Sequence, residues 1–359
     1  MDLFMLNQLF ISLPMLICFF WSVFFLFRLI WSGGEKRVKI TLLLFFVTST
    51  VLYTDHWLYF SDVRSDIAMW TYLIANLSVY PLYYAYLRAL MRAPRTWEML
   101  PLFLPAALIA VLYSLNLCLG WFDKDILTYV TRVCFAVQVL WVWGRGFLLL
   151  RDTQNRFDSI YSDARSYLLE PMRLIQHLLG FTAVISSLLN IVGRDFFAHE
   201  APVALPALVM SVILFSLGYV SAHTVLPQET VAMEEEKEEE ATFAETDVLL
   251  AKIFTVLSEQ KLFADPNMTI QDLAQAVNSN RTYVSQCINR RTGLNFSQFI
   301  LRYRVEYAKQ ILRDPSYQTD HEAIEAAMIL SGFASNQTFY RVFKEVAKKT
   351  PIQYRKDGK

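Results

Sequence analysis

Hydrogen-bonding side chains share one face of a predicted helix that begins near residue 281. Ser285 and Gln286 follow Thr282 by three and four residues, which places them on the same side of a helix as Thr282. Polar side chains of this size can pair with the base edges that line the major groove of DNA. The basic side chains nearby suit phosphate oxygens, and these are Arg281, Arg290 and Arg291.

A second face with the same chemistry lies near residues 336–346. Asn336 and Gln337 can each form two hydrogen bonds with adenine, and Arg341 can do so with guanine. Tyr340 and Lys344 lie on the same side and are predicted phosphate contacts. Two such faces predict a domain that reads double-stranded DNA. The alternative is a helical domain with a basic surface and no role on DNA.

Helix-turn-helix signals surround the first face. Thr269 and Asp272 have the spacing of a capping box, Asn278 suits a tight turn, and Ser279 or Asn280 can cap the recognition helix. The apolar residues between these signals recur at helical spacing. They form the predicted core, which consists of Ile270, Leu273, Ala274, Val277, Tyr283, Val284, Cys287 and Ile288.

The second unit repeats this plan. Thr319 and Glu322 form another capping-box pattern, Gly332 and Phe333 make the turn, and Ser335 caps the helix that follows. Its predicted core consists of Ile324, Ala327, Met328, Phe339, Val342, Phe343 and Val346.

Residues 296–313 are predicted to form one connecting helix between the two units. Their apolar positions are Phe299, Ile300, Tyr303, Ala308 and Leu312, and Arg302 and Arg304 are basic. Residues 247–359 contain 16 Lys and Arg against 11 Asp and Glu, a net charge of +5. An excess of positive charge on a small domain favours binding to phosphates.

Residues 248–356 resemble the DNA-binding domain of the AraC/XylS family of bacterial transcription regulators. The resemblance lies in TIQDLA at 269–274, NRTYVS at 280–285, GLNF at 293–296, SGFASNQTFYRVFK at 331–344 and the closing TP at 350–351. It implies seven helices in two subdomains, with two recognition helices in successive major grooves. By position it implies base contacts from Thr282, Ser285, Gln286, Asn336, Gln337 and Arg341.

This chain departs from the family pattern at several places. Gln286 stands where the family often has a basic residue, and Lys348 stands where the family usually has glycine. The sugar-binding barrel common in the family has no counterpart in the first two thirds of this chain, so the family's ligands do not carry over.

Apolar segments dominate the first two thirds of the chain. Hydrophobic residues make up 55% of the sequence, charged residues make up 18%, and the mean hydropathy is +0.31. A helix needs about 20 apolar residues to cross a bilayer. Seven transmembrane helices are predicted, at 6–30, 40–60, 67–90, 100–121, 126–149, 173–192 and 202–222. The first is predicted to be a retained span, because no basic residue precedes it and no cleavage site follows.

The loops between the spans alternate in charge. The odd loops carry the basic residues Lys36, Arg37, Lys39, Arg88, Arg92, Arg95, Arg145, Arg151, Arg156 and Arg165, and the even loops are acidic or neutral. Since cytoplasmic loops are enriched in Lys and Arg, the N-terminus is predicted outside and the C-terminal domain inside. For a bacterial chain, the predicted location is the inner membrane.

Polar residues within the spans define a candidate ligand pocket. Asp55, His56, Asn76 and Arg132 are costly to place in lipid and can face an outward-opening cavity. The competing interpretation is that they are interfacial residues or bond neighbouring helices. The four cysteines have neither metal-ligand nor disulfide-framework spacing, and no catalytic cluster or cofactor site is recognised.

Two further segments have open interpretations. Residues 151–171 have apolar residues at helical spacing, so they form either a cytoplasmic helix that contacts the C-terminal domain or a helix on the membrane surface. Residues 228–246 contain eight Glu and one Lys, which is typical of a solvated linker and would be repelled by an anionic membrane surface.

The expected protein is all-α, with a seven-helix transmembrane bundle at 1–227, an acidic linker at 228–246 and a tandem helix-turn-helix domain at 247–359. It is expected to be a membrane-bound, non-enzymatic transcription regulator that binds double-stranded DNA and membrane lipid. Further expected partners are RNA polymerase, an unidentified small ligand or membrane protein, and a second copy in a homodimer. Two alternatives stay open: a transporter or membrane enzyme with an autoregulatory DNA-binding tail, and a tail released by proteolysis.

Overall fold

Helices account for all the regular elements of the computed structural model, which describes residues 3–32, 35–61, 63, 65–91, 96–120, 124–162, 169–192, 204–224 and 243–358. The all-α prediction is confirmed for these residues. The chain forms two units, one made of Met1–Arg151 and Glu170–Leu226, the other of Asp152–Leu169 and Pro227–Lys359. The predicted linker residues 228–242 lie outside the described part of the chain.

The first unit contains a helix at each of the seven predicted spans. These helices are α1 (Leu3–Trp31), α2 (Lys36–Phe60), α3 (Asp66–Leu90), α4 (Leu104–Leu119), α5 (Lys124–Ile160), α6 (Glu170–Val192) and α7 (Ala204–His223), and a 3-10 segment, Thr96–Phe103, precedes α4. The C-terminal residues of α5 belong to the second unit.

Five of these helices are long and apolar enough to cross a membrane, by length and composition: α1, α2, α4 with its 3-10 segment, α5 and α7. The structure therefore provides five candidate spans among the described residues. α3 is long enough, with 25 residues, but it includes five tyrosines, and α6 includes Gln176 and His177. The third and sixth spans stay predictions.

Close helix packing holds the first unit together. The indole of Trp21 on α1 lies directly against Gly218 on α7, where an added side-chain carbon would collide with the ring. The Tyr86 hydroxyl on α3 donates a hydrogen bond to Ser221 Oγ on α7 at 2.8 Å. Small residues at such contacts let helices approach closely in apolar surroundings.

The second unit contains seven α-helices within residues 243–358, as the family resemblance implies. They are α8 (Phe243–Gln260), α9 (Ile270–Ala276), α10 (Arg281–Thr292), α11 (Phe296–Arg313), α12 (Asp320–Leu330), α13 (Asn336–Ala347) and α14 (Pro351–Asp357), and a 3-10 turn, Leu262–Ala264, follows α8. α8 begins at Phe243, three residues before the predicted end of the linker at Thr246. Thr246 is buried, and its carbonyl accepts a hydrogen bond from Cys287, so the start of α8 belongs to the packed domain.

Two hydrophobic cores form the second unit, and α11 contributes to both. Phe296, Phe299 and Ile300 pack into the core around α8, α9 and α10. Further along the same helix, Val305 and Leu312 pack into the core around α12 and α13. One continuous helix therefore joins two helix-turn-helix subdomains, as the sequence predicts.

Side-chain caps fix the ends of these helices. The predicted capping boxes at Thr269 and Thr319 are present, and Asn280 and Ser335 cap α10 and α13. Two further boxes, which sequence analysis did not identify, begin α11 at Asn295 and α14 at Thr350.

The turns adopt the left-handed backbone that the sequence predicts. Asn278 has φ 52° in the first turn and Gly332 has φ 79° in the second. Lys348 also has a positive φ, 59°, at the position where the family usually has glycine. That conformation is costly for a residue with a side chain.

Candidate nucleic-acid interface

The first recognition helix is α10. Its apolar face, Val284, Cys287 and Ile288, is buried, whereas Thr282, Ser285 and Gln286 are half-buried on the other side. The helix thus presents the predicted hydrogen-bonding side chains away from the core. Their contacts with bases stay a prediction.

A cavity of about 530 Å³ lies between α8 and α10. Lys252, Asn278, Tyr283, Gln286 and Arg290 contribute to its lining. Gln286 Oε1 is buried and has no hydrogen-bond partner among the described residues. Buried polar groups are normally satisfied, so this oxygen is an exception in the domain. The predicted base contact of Gln286 requires its amide to turn toward DNA.

The basic residues of α10 differ in their surroundings. Arg290 is exposed, and Arg281 is half-buried. Arg291 Nη2 lies 2.7 Å from Asp247 Oδ2 on α8, and its side chain is only 25% exposed. Arg291 therefore fastens α10 to α8, a role that its sequence position did not indicate. A DNA phosphate bound by Arg291, as the sequence predicts, would compete with Asp247 for the guanidinium or bind it together with Asp247.

Cys287 is a structural residue of the first subdomain. Its Sγ donates a hydrogen bond to the Thr246 carbonyl at 3.2 Å. Burial raises the pKa of the thiol, an effect that the Arg291 charge partly offsets. The residue therefore remains protonated at neutral pH and keeps its hydrogen bond.

The second recognition helix, α13, has the more open polar face. Phe339, Val342 and Phe343 are buried, which turns the opposite side of the helix outward. Asn336, Gln337, Arg341 and Lys344 are exposed, whereas Tyr340 is half-buried and its ring lies edge-on to Phe339. All five predicted contact residues of α13 thus lie on its outward or partly outward side.

Two buried arginines support these helices. Arg304 is fully buried, and its Nε and Nη2 donate to the carbonyls of Phe263 and Asp265 at 2.7 and 2.8 Å. These carbonyls lie in the segment that leads into α9. Arg304 therefore fixes the entry to the first helix-turn-helix.

Arg355 performs the matching task in the second subdomain. It is also buried, and it donates to the carbonyls of Leu312 and Tyr317 and to Asp320 Oδ1. These acceptors lie at the end of α11 and at the entry to α12. Each helix-turn-helix subdomain is therefore anchored by one buried guanidinium.

From the sequence, Arg304 was predicted only to contribute basic charge to α11. A signal was available, because Arg304 stands four residues after Ile300 and four before Ala308, on the apolar stripe of α11. A basic residue on such a stripe must find acceptors inside the domain.

The candidate membrane pocket is only partly defined. Asp55 is buried on α2 and accepts hydrogen bonds from Thr71 Oγ1 on α3 at 2.9 and 3.1 Å. His56 is half-buried and lies edge-on to Tyr72, Asn76 is buried on α3, and Arg132 is half-buried on α5. Asp55 and His56 on α2 thus contact Thr71 and Tyr72 on α3. A pocket that these residues share with Arg132 stays a prediction. Across the described residues, no three His, Cys, Asp or Glu side chains group as a metal site.

Comparison with known proteins identifies the C-terminal region. Residues 273–357 match the family described as helix-turn-helix domain. The melibiose operon regulatory protein of Escherichia coli strain K12 is 32% identical over 92 residues, which cover 26% of this chain and 29% of that protein. The HTH-type transcriptional regulator YisR of Bacillus subtilis, itself uncharacterized, is 32% identical over 88 residues, 24% of this chain and 29% of that protein.

The Msm operon regulatory protein of Streptococcus mutans is 24% identical over 91 residues, 25% of this chain and 31% of that protein. The chain thus spans about three tenths of the length of these curated relatives. No solved structure matches. The C-terminal domain is an AraC-type helix-turn-helix domain, of the kind found in transcription regulators.

Proposed function

We propose that this protein is a membrane-bound transcription regulator that binds promoter DNA through α10 and α13. The observation that carries the proposal is the pair of outward-facing polar helices mounted on one continuous α11. Because α11 enters both cores, the two recognition helices keep a fixed relationship. A fixed pair of recognition helices can enter two major grooves of one DNA molecule.

The relatives support the regulatory part of the proposal. Two of them are named as operon regulatory proteins, and residues 273–357 match a helix-turn-helix family. On this basis we propose double-stranded DNA as the primary partner. RNA polymerase and a second copy of the chain are further partners under the same proposal.

The apolar helices support the membrane part. α1 leaves Phe19, Phe20 and Phe27 more than half exposed, and five helices are suited to crossing a bilayer. Large apolar side chains on the outside of a helical bundle favour contact with lipid. Together with the basic odd loops, this supports an inner-membrane protein whose DNA-binding domain lies in the cytoplasm.

Selection from random DNA by the full-length protein in lipid nanodiscs tests the proposal. We expect enrichment of one bipartite sequence with two half-sites about one helical turn apart. Arg341→Ala should lose preference at one base position. Arg302→Ala serves as the matched control, because Arg302 is an exposed arginine on α11 and is not among the candidate base-reading or phosphate-contact residues. Failure to enrich any sequence would contradict the proposal.

Localisation experiments separate this function from its alternatives. We expect the intact chain, in its native cells, to occupy discrete promoters while it sediments with membranes. A soluble C-terminal fragment at those promoters would instead support release by proteolysis. Solute uptake that persists after deletion of residues 243–359 would support a transporter with an autoregulatory tail.

A further inference from the structure

The end of α5 packs into the second unit of the structure. We call residues 152–162 the α5 tail. Phe157 and Tyr161 in this segment are each 1% exposed, and their rings lie 6.0 Å apart. Large aromatic side chains buried to this degree contribute substantial apolar contact. The α5 tail is therefore part of the packed domain and not a surface loop.

Backbone pairing joins the α5 tail to the first helix-turn-helix. Tyr161 and Thr269 form an antiparallel bridge, and the Ser162 amide donates to the Met268 carbonyl at 3.0 Å. Thr269 is the residue that caps α9. The tail thus contacts the point where the first helix of that motif begins.

Ser162 also completes the surroundings of the buried Arg304. Arg304 Nη2 donates to Ser162 Oγ at 3.0 Å, and Nη1 donates to the Ser162 carbonyl at 3.4 Å. Ser162 itself has no exposed surface. A buried guanidinium requires acceptors for its donors, and the α5 tail supplies two of them. Such a contact is specific, because both sides lose hydrogen bonds when it opens.

We propose that the α5 tail is an intramolecular strap that attaches the DNA-binding domain to the fifth helix, in addition to the chain that joins α7 to α8. α5 has 37 residues and is about 55 Å long at 1.5 Å per residue. A bilayer core of about 30 Å accounts for only part of that length. α5 is thus long enough for its final turns to extend beyond the membrane, where they form the strap.

The hydrogen bonds of Ser162 in the strap involve residues that are not candidate DNA contacts. They join Ser162 to Met268 and Arg304, whereas the base-reading candidates lie on α10 and α13. These hydrogen bonds can therefore persist while DNA is bound. A movement of α5 would be transmitted to the cap of α9 and to Arg304. Arg304 is part of α11, the helix that connects the two subdomains. The contact itself does not depend on the DNA-binding proposal.

Cleavage of the full-length protein in membranes tests the strap directly. A specific protease site inserted after Glu240 cuts the connection between α7 and α8. We expect the C-terminal fragment to stay with the membrane pellet after cleavage, because the strap holds it without a covalent link. A wash in about 1 M salt removes electrostatic binding of the basic domain to lipid, since the screening length then falls to about 3 Å.

Ser162→Pro is the decisive variant, because it removes both the amide donor and the hydroxyl acceptor. We expect this variant to release at least ten times more fragment into the salt wash than the unsubstituted protein. Asn155→Ala is the matched control, since Asn155 is an exposed residue of the same tail, and it should retain the fragment. Release of the unsubstituted fragment would overturn the proposal, as would equal retention in the Ser162→Pro variant.

A cysteine pair provides a second test that does not rely on loss of binding. The Ser162–Met268 hydrogen bond flanks the bridged pair, so Tyr161 and Thr269 face each other as a non-hydrogen-bonded pair, about 4.5 Å apart at Cα. That distance suits a disulfide. The double variant Tyr161→Cys, Thr269→Cys should form a bond that keeps the cleaved halves together until reduction.

The double variant Asn155→Cys, Thr269→Cys is the control for the cysteine pair and for the four native cysteines. We expect it to form no more cross-link than the single variants do. If both double variants react equally, the strap is not docked as described.

Discussion

Arg304 and Ser162 are hydrogen-bonded although 142 residues separate them in the sequence. The same guanidinium also holds the Phe263 and Asp265 carbonyls. One buried side chain therefore ties together the end of α5, the entry to α9 and the connecting helix α11. Loss of this side chain would disturb several elements at once, which makes its effect measurable.

We expect Arg304→Ala to lower the free energy of unfolding of the DNA-binding domain by about 3 kcal/mol or more. Its removal leaves buried carbonyls without donors, and each unsatisfied group costs about 1–3 kcal/mol. Arg304→Lys should rescue little, because an ammonium lacks the planar fork that reaches several acceptors. Pulse proteolysis of the domain in the full-length protein measures the effect. Arg302→Ala, at an exposed arginine of the same helix, should stay within about 0.5 kcal/mol of the unsubstituted protein.

Lys348→Gly should stabilise the domain by about 1 kcal/mol. Lys348 ends α13 with φ 59°, a left-handed conformation that costs a residue with a side chain about 1 kcal/mol or more and costs glycine little. The midpoint of denaturant unfolding measures the gain. Lys349→Gly is the control, because Lys349 pairs with Asp357 and is absent from the positive-φ positions. A larger gain for Lys349→Gly would contradict the argument from backbone strain.

Arg341→Ala should weaken binding to the preferred DNA sequence by about 1–3 kcal/mol and relax the choice of one base. The side chain is exposed on the polar face of α13, where it can reach guanine. Lys344→Ala, one turn further along, should weaken binding to all sequences alike and reduce its salt dependence. Titration of preferred and scrambled DNA at two salt concentrations distinguishes the two outcomes. Equal losses for Arg341→Ala on both DNAs would mark Arg341 as a phosphate contact.

The sequence allowed most of the DNA-binding domain to be predicted, because its signals are local. Capping residues such as Thr269 and Ser335 act within one helical turn, and α11 has the predicted bounds Phe296–Arg313. The turn at Asn278 follows from the side chain's tolerance of a left-handed backbone. These features need no knowledge of distant contacts.

Long-range contacts were not predictable from the same signals. Nothing near Ser162 in the sequence indicates that it accepts a hydrogen bond from Arg304, and the ion pair between Arg291 and Asp247 depends on how α8 packs. The contact of residues 151–171 with the C-terminal domain was one of two open interpretations. The structure favours it for residues 152–162, whereas residues 163–168 lie outside the described part of the chain.

Gly332→Ala should destabilise the domain more than Gly293→Ala, although both glycines have a positive φ, 79° and 69°. An added carbon at Gly293 would meet open space, whereas at Gly332 it would collide with the Phe263 carbonyl and lie 2.7 Å from the Ala264 carbonyl oxygen. Both variants lose about 1 kcal/mol or more to the left-handed backbone. Only Gly332→Ala must also displace the backbone of Phe263 and Ala264, which adjusts less easily than a side chain does.

The collision at Gly332 has a consequence for DNA binding. Gly332 lies in the turn of the second subdomain, and the Phe263 carbonyl that it approaches also accepts a hydrogen bond from Arg304. This contact therefore helps to set the second recognition helix relative to the first subdomain. We expect Gly332→Ala to reduce affinity for a complete two-half-site sequence more than affinity for either half-site alone, measured by titration of the three DNAs. Gly293→Ala should lower the affinity for all three DNAs equally. A uniform loss of affinity for Gly332→Ala would show that the contact does not orient the two subdomains.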